Sequence, residues 1–169
     1  MSYKDQPFQQ RWNGVWAREA QAAYERDRIG RAIPYQRWGL DRPPFSSAAL
    51  MAAPSHIRYA PDFLEEVDRH LRLVEVKGCG RDQVIKLKLE QLDALGHVDV
   101  YDAPVWFCLW NNVTRTLIDV ELGAVKDLET GAQVEGRVGV FDADTRPKPY
   151  VSLRWRNLAF RGHEHEVGG

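Results

Sequence analysis

The sequence predicts an α/β fold with a central mixed sheet flanked by helices, and three observations carry that expectation. Two strand-like runs, Ile57–Leu64 and Leu71–Lys77, stand a hairpin's length apart. A continuous apolar run, Val105–Trp110, bounded by Pro104 and Asn111-Asn112, has the composition of a central strand covered on both faces. A helix-period stretch lies between them, so the order is strand, strand, helix, strand.

Taken in order, the first element is a helix from about Gly14 to Arg28. At 100° per residue Val15, Trp16, Ala20, Ala22 and Ala23 share one broad arc. Glu19 falls inside that arc, whereas Glu25 lies with Arg18 and Gln21 on the polar side. A carboxylate on an apolar face needs a partner, such as Arg26 or a metal site, because burying an unpaired charge is costly. Residues 30–56 are broken by Pro34, Pro43-Pro44 and Ser46-Ser47 and read as a loop with short helical turns. The run Ile57–Leu64 then forms a strand, Glu65–His70 a polar connection, and Leu71–Lys77 a second strand closed by Gly78-Cys79-Gly80. Along that second strand Glu75 and Lys77 share one face, and Val74 and Val76 the other.

Asp82 is placed to cap a helix running to about Leu95, with Gly96 as its stop. Val84, Ile85, Leu89, Leu92 and Leu95 form its buried stripe. Lys88 projects within the stripe; Lys86 and Gln91 lie outside it or at its edge. After the apolar strand, Thr116–Leu122 reads as a further short strand. Residues 150–158 alternate Val151, Leu153 and Trp155 against Ser152, Arg154 and Arg156, the pattern of a half-buried strand with an arginine-bearing outer face. No repeat or low-complexity tract appears. The economical count is one domain over residues 1–169, with a core over about 12–122 and an arginine-bearing β extension over 134–162.

The chain has 169 residues, 44% hydrophobic and 28% charged, with a net charge of −1. That is an ordinary globular composition with room for a sizeable core. No apolar run is long enough to span a membrane, and the N-terminus lacks a signal-peptide pattern, so no membrane partner is expected. Cys79 and Cys108 make neither a disulfide framework nor a zinc site and read as reduced thiols of an intracellular, cytoplasmic protein. The net charge is not that of a nucleic-acid-binding protein, but arginines crowd residues 11–42 and recur near the far end at Arg146, Arg154, Arg156 and Arg161. A guanidinium fork suits phosphate; a solvated face is the plain alternative. The six tryptophans fill a core or stack on unpaired bases. His163-Glu-His165 could bind a transition metal, but it lies in a polar tail where fraying is expected. The Gly78-Cys79-Gly80 loop lacks the lysine and spacing of a phosphate-binding P-loop.

The chemistry points to Pro61-Asp62 and Glu75-Val76-Lys77. Two neighbouring strands would bring together two carboxylates, hard oxygen ligands suited to Mg²⁺, and an ammonium able to reach a water or a phosphate oxygen beside the ion. Singly, each residue has a bland reading: a solvated Glu–Lys pair, or Pro-Asp opening a turn. Together they resemble the PD-(D/E)XK nuclease superfamily, with Asp62 as first acid, Glu75 as second acid and Lys77 as the lysine. Tyr59–Leu64 followed by Val74–Gly78 looks especially like phage junction-resolving and related phage endonucleases. The resemblance covers about residues 57–110.

That resemblance implies a restriction-endonuclease-like core and Mg²⁺-dependent hydrolysis of DNA phosphodiesters, with Mn²⁺ able to substitute. It implies Asp62, Glu75 and the Val76 carbonyl as metal ligands, and Lys77 as the group orienting water or stabilising phosphate charge. It implies an early-helix glutamate beside the metal, Glu19 first and Glu25 in reserve. The helix after the second strand often offers the site a polar residue; Lys88 and Gln91 are the candidates, with snorkelling the alternative for Lys88. Lys86, Lys88, Gln91, Arg154 and Arg156 are the candidate DNA contacts. Substrates of branched or junction form, a homodimer that cuts two strands, and a host-cytoplasmic setting if phage-encoded follow from the same resemblance. An exonuclease or restriction-type enzyme, and a non-catalytic nucleic-acid-binding protein, stand as alternatives.

Overall fold

The computed structural model describes residues 15–38, 52–99, 103–141 and 148–167. Residues 39–51 of the loop expected over 30–56, and Arg11, Arg42 and Arg146, lie outside the described residues. Helix α1 (Val15–Gly30) buries Ala20, Ala23 and Tyr24 against the sheet. Strand β1 (Tyr35–Arg37) and a one-turn helix α2 (Ser55–Arg58) lead to the hairpin of β2 (Phe63–Val67) and β3 (His70–Cys79). Strand β4 (Val84–Lys88), helix α3 (Leu89–Val98), β5 (Val105–Asn111) and β6 (Thr116–Glu121) follow. Helix α4 (Leu122–Val134), β7 (Val138–Phe141), β8 (Lys148–Arg154), helix α5 (Trp155–Arg161) and β9 (His163–Glu166) complete the order.

Among the described residues the strands form a six-stranded sheet, β1-β2-β3-β5-β6-β9, and a three-stranded sheet, β4-β8-β7. The pair β3–β5 is parallel and the other pairs are antiparallel. The larger sheet is therefore mixed, as expected. Helix α1 covers one face over Val74, Val76, Cys108, Trp110 and Leu117. The opposite face carries Leu73, Phe107, Leu109 and Ile118, packed against α3, α4, α5 and the inner side of the smaller sheet. Gly78 lets α1 come close: a Cβ there would sit 2.8 Å from the Trp16 carbonyl oxygen.

Several boundaries differ from the sequence reading. Residues 57–64 are not one strand. Ile57 and Arg58 donate backbone N–H bonds to the Pro54 carbonyl in a helical turn, and Pro61, which has no N–H to give a ladder, delays β2 until Phe63. The polar residues expected in the connection belong to β2 itself. The turn is only Asp68-Arg69, with φ of 51° and 67°, the backbone of a tight two-residue hairpin.

The helix expected from Asp82 to Leu95 begins at Leu89 and runs past Gly96. Val84–Lys88 is a strand instead, because its period-two alternation buries Ile85 and Leu87 and β8 supplies the partner backbone. Asp82 serves a turn: its Oδ1 accepts from Val84 N at 3.4 Å. The strand expected over 150–158 ends at Arg154, and Trp155 and Leu158, three residues apart, are buried on helix α5. His163-Glu-His165 does not fray. It forms β9, paired with Thr116–Asp119 of β6.

Candidate active site

The β2–β3 register pairs Phe63 with Val74, so continuing it by one step sets Asp62 across from Glu75. Directly opposed residues of antiparallel strands have their Cβ atoms about 5 Å apart. Asp62 Oδ2 accepts the Val76 backbone N–H at 2.8 Å, extending the pairing by one bond after the ladder has ended. A strand residue presents its N–H and C=O to the same edge. The Val76 carbonyl therefore points to the Asp62 side of β3.

Glu75 and Lys77 project from the other side of β3 to Val74 and Val76, as alternation predicts. The Lys77 ammonium lies 2.6 Å from Glu75 Oε1. Gln91 of α3 donates its Nε2 to the same oxygen at 2.6 Å. Glu75 is 3% exposed, and this pair of donors meets its buried charge. Tyr59 closes the rim: its hydroxyl donates to Glu90 Oε2 at 3.1 Å, and the Lys88 ammonium lies 5.8 Å from its ring centre. Burial, then the Glu90 carboxylate, raises the Tyr59 pKa, while the Arg58 and Lys77 charges oppose that rise. The phenol is therefore neutral and close enough to Lys77 to feel its charge. Arg58 pairs with Glu90 from the far side.

The structure thus brings Asp62, Glu75, Val76, Lys77 and Gln91 together, with Lys88 at the rim. Lys86 and Arg154 lie on the outer face of the small sheet, in register with Ser152 and Val84, and Tyr150 lies opposite Lys88. The Lys86 ammonium is 5.5 Å from the Tyr150 ring centre. Arg156 leaves this face because it belongs to α5. Glu19 makes no hydrogen bond or ion pair with these residues among the described ones. It sits 200° around α1 from Gln21, whose amide bonds Arg37 on the β1–β2 side, and its Oε2 is buried without a hydrogen-bond partner. Glu25 pairs with Arg37 at 3.0 Å.

Among the described residues no group of three or more His, Cys, Asp or Glu side chains is placed to hold a metal ion. Two carboxylates and one backbone carbonyl are the oxygen donors at hand. They suit Mg²⁺, which commonly takes one or two carboxylates and fills its shell from water and substrate phosphate.

The most heavily charged site in the structure was not foreseen. Arg28, fully buried, donates to Asp27, Glu65 and Asp119 at 2.6, 2.7 and 2.8 Å. Tyr24 donates its hydroxyl to Glu65 at 2.7 Å, and Arg72 pairs with both Glu65 and Asp119. His165 of β9 completes the cluster, its Nε2 lying 3.1 Å from Asp27 Oδ1. The cluster lies under the C-terminal turns of α1, on the sheet face away from Glu75. Its members come from five elements, and only the alternation of Glu65 and Arg72 on facing strands could have hinted at it.

Comparison with protein-family models, with characterised proteins and with solved structures finds no match to any of them. Among the described residues no helix is long and apolar enough to cross a membrane.

Proposed function

We propose that this protein is a metal-dependent phosphodiesterase acting on DNA, with the restriction-endonuclease-like arrangement its motifs resemble. The observation that carries the reading is Asp62, just ahead of β2, set across from Glu75 of β3, with Lys77 and Gln91 both bound to Glu75 Oε1. Asp62, Glu75 and the Val76 carbonyl would hold Mg²⁺, or Mn²⁺ in its place. When bound, the ion lowers the pKa of a water ligand and offsets charge on the scissile phosphate.

The remaining roles belong to the chain. Lys77, held by Glu75 yet partly exposed, can present its ammonium to the attacking water or a phosphate oxygen. Gln91 fixes the Glu75 carboxylate, as outer-shell partners of metal ligands do. Lys86, Lys88 and Arg154 line one face of β4 and β8 and supply phosphate contacts beside the site. A junction-selective, dimeric endonuclease is the form the phage resemblance favours.

One observation favours a second reading. Glu75 is buried and its Oε1 already has two donors, which is how a purely structural ion pair also looks. The protein would then bind nucleic acid without cutting it. Cleavage of end-labelled linear duplex, single-stranded and four-way-junction DNA in Mg²⁺, Ca²⁺ or EDTA separates the two. The expected result is Mg²⁺-dependent cutting that Asp62→Ala and Lys77→Ala both abolish. Binding without cutting on every substrate, by folded protein in Mg²⁺, selects the second reading.

A further inference from the structure

A cleft of about 550 Å³ opens at the C-terminal end of β3, lined by Trp16, Arg81, Asn112 and Val113. Its volume is that of a small-molecule pocket. It stands outside the carboxyl ends of β3 and β5, the parallel pair of the sheet, where ligands of open α/β sheets commonly bind. Lys77 projects to the α3 side of β3, while Gly78 and Gly80 meet α1 on the other. The cleft therefore lies on the α1 face just past the end of β3, and Glu75 lies on the opposite face, four residues before that end.

The lining is chemically specific. Trp16 is 45% exposed, and its indole lies against Gly80, where a Cβ would already stand 3.3 Å from the ring. An aromatic plane is thus backed by the Gly80 backbone while nearly half of the residue stays exposed. Arg81 is exposed and makes no ion pair among the described residues; its neighbour Asp82 turns its Oδ1 to Val84 N. Asn112 is anchored by its backbone N–H to the Cys79 carbonyl at 3.1 Å, which ties the β5–β6 turn to the end of β3. Val113, 53% exposed, adds an apolar wall. A flat ring to stack on, a guanidinium for a phosphate and an amide for a base edge are the three things a nucleotide needs.

We propose that this cleft binds an unpaired nucleotide, with its base on Trp16 and its phosphate on Arg81, and so selects nucleic acid that carries a single-stranded part. The assignment rests on nucleic acid being the substrate, but it needs neither the metal nor cleavage. A paired base keeps its stacking partners and cannot enter; a displaced or terminal one can.

The test is fluorescence anisotropy of labelled decamers in EDTA, with single-stranded dA and rA and a blunt duplex as probes. Wild type is expected to bind single strands more tightly than the duplex. Trp16→Ala and Arg81→Ala should each weaken single-strand binding by roughly tenfold and leave duplex binding little changed, since one stacked base is worth about that factor. Trp16→Phe should restore most of the loss. Preference for either sugar over the duplex supports the assignment, and the stronger of the two identifies the source. Arg81 is exposed, so its variant keeps the test valid even if Trp16→Ala disturbs α1. Equal binding of single strands and duplex by wild type, or single-strand binding untouched in both variants, overturns it. Loss of cutting in Asp62→Ala with single-strand preference retained separates the two proposals, and a wild type that never cuts but keeps the preference sinks only the nuclease.

Discussion

Gln91 is the residue on which the chemistry of Glu75 turns. Its amide and the Lys77 ammonium share one carboxylate oxygen, so removing the amide leaves Glu75 able to rotate about the lysine. Gln91→Leu is expected to lower Mg²⁺-dependent cleavage by roughly 10- to 100-fold and, because the buried Glu75 then keeps one donor fewer, to lower the melting temperature as well. Arg28 makes a different case, a charge that serves stability. Replacing it by Met leaves the buried Glu65 and Asp119 to Tyr24 and Arg72, and breaking a buried pair from one side costs about 3–5 kcal/mol. Urea unfolding of Arg28→Met should show that loss in its midpoint. The two cases also explain what could be read in advance. Asp62, Glu75 and Lys77 are set by alternation and a short hairpin, both local in sequence. Arg28 bonds partners 37 and 91 positions away, and no local pattern announces such a meeting.

At the level of elements, β4 shows how local propensity loses to pairing. Residues 84–95 fit a helical stripe when read as one piece, yet β8 offers a backbone partner to Val84–Lys88 and the chain divides into strand and helix. The alternation of Ile85 and Leu87 with Lys86 was the legible sign. Its consequence is a basic outer face: Lys86 and Lys88 share it with Tyr150 and Arg154, whereas a helix would have spread the two lysines 200° apart. The double variant Lys86→Ala/Lys88→Ala should therefore weaken DNA binding and make the slope of log K against log salt shallower by about 0.9 for each phosphate no longer neutralised. Titrations between low and moderate salt read that slope. An unchanged slope would remove this face from the interface. The central place of Val105–Asn111 was legible because Val105–Trp110 is apolar throughout. The position of β9 was not, because its sequence alone is polar and only the Asp27 and Asp119 side of the fold gives it a place.

Across the whole molecule, β9 couples acidity to folding. The Asp27 hydrogen bond raises the His165 pKa, against the effect of burial, and Arg31 Nη1 lies 3.5 Å from the same ring nitrogen. A raised histidine stabilises the fold fully below its ordinary 6.5 and loses that contribution as pH climbs through the folded value. Asp27 behaves in the reverse sense. Burial tends to raise its pKa, but hydrogen bonds from His165 and Arg28 hold it down at about 2, so its contribution is complete above 3.8 and falls away as pH drops toward 2. The pair contributes most between about pH 4 and 6.5. His165→Gln should flatten the decline of the urea midpoint above pH 6.5 and shrink the loss on the acid side to the part that Arg28 holds in Asp27.

The two rims of the large sheet, Tyr35–Arg37 and His163–Glu166, are only three and four residues long and rich in polar side chains. A short, charged rim is a poor template for another copy's backbone. A second copy of the chain would therefore gain little by adding a strand at either of these two described rims.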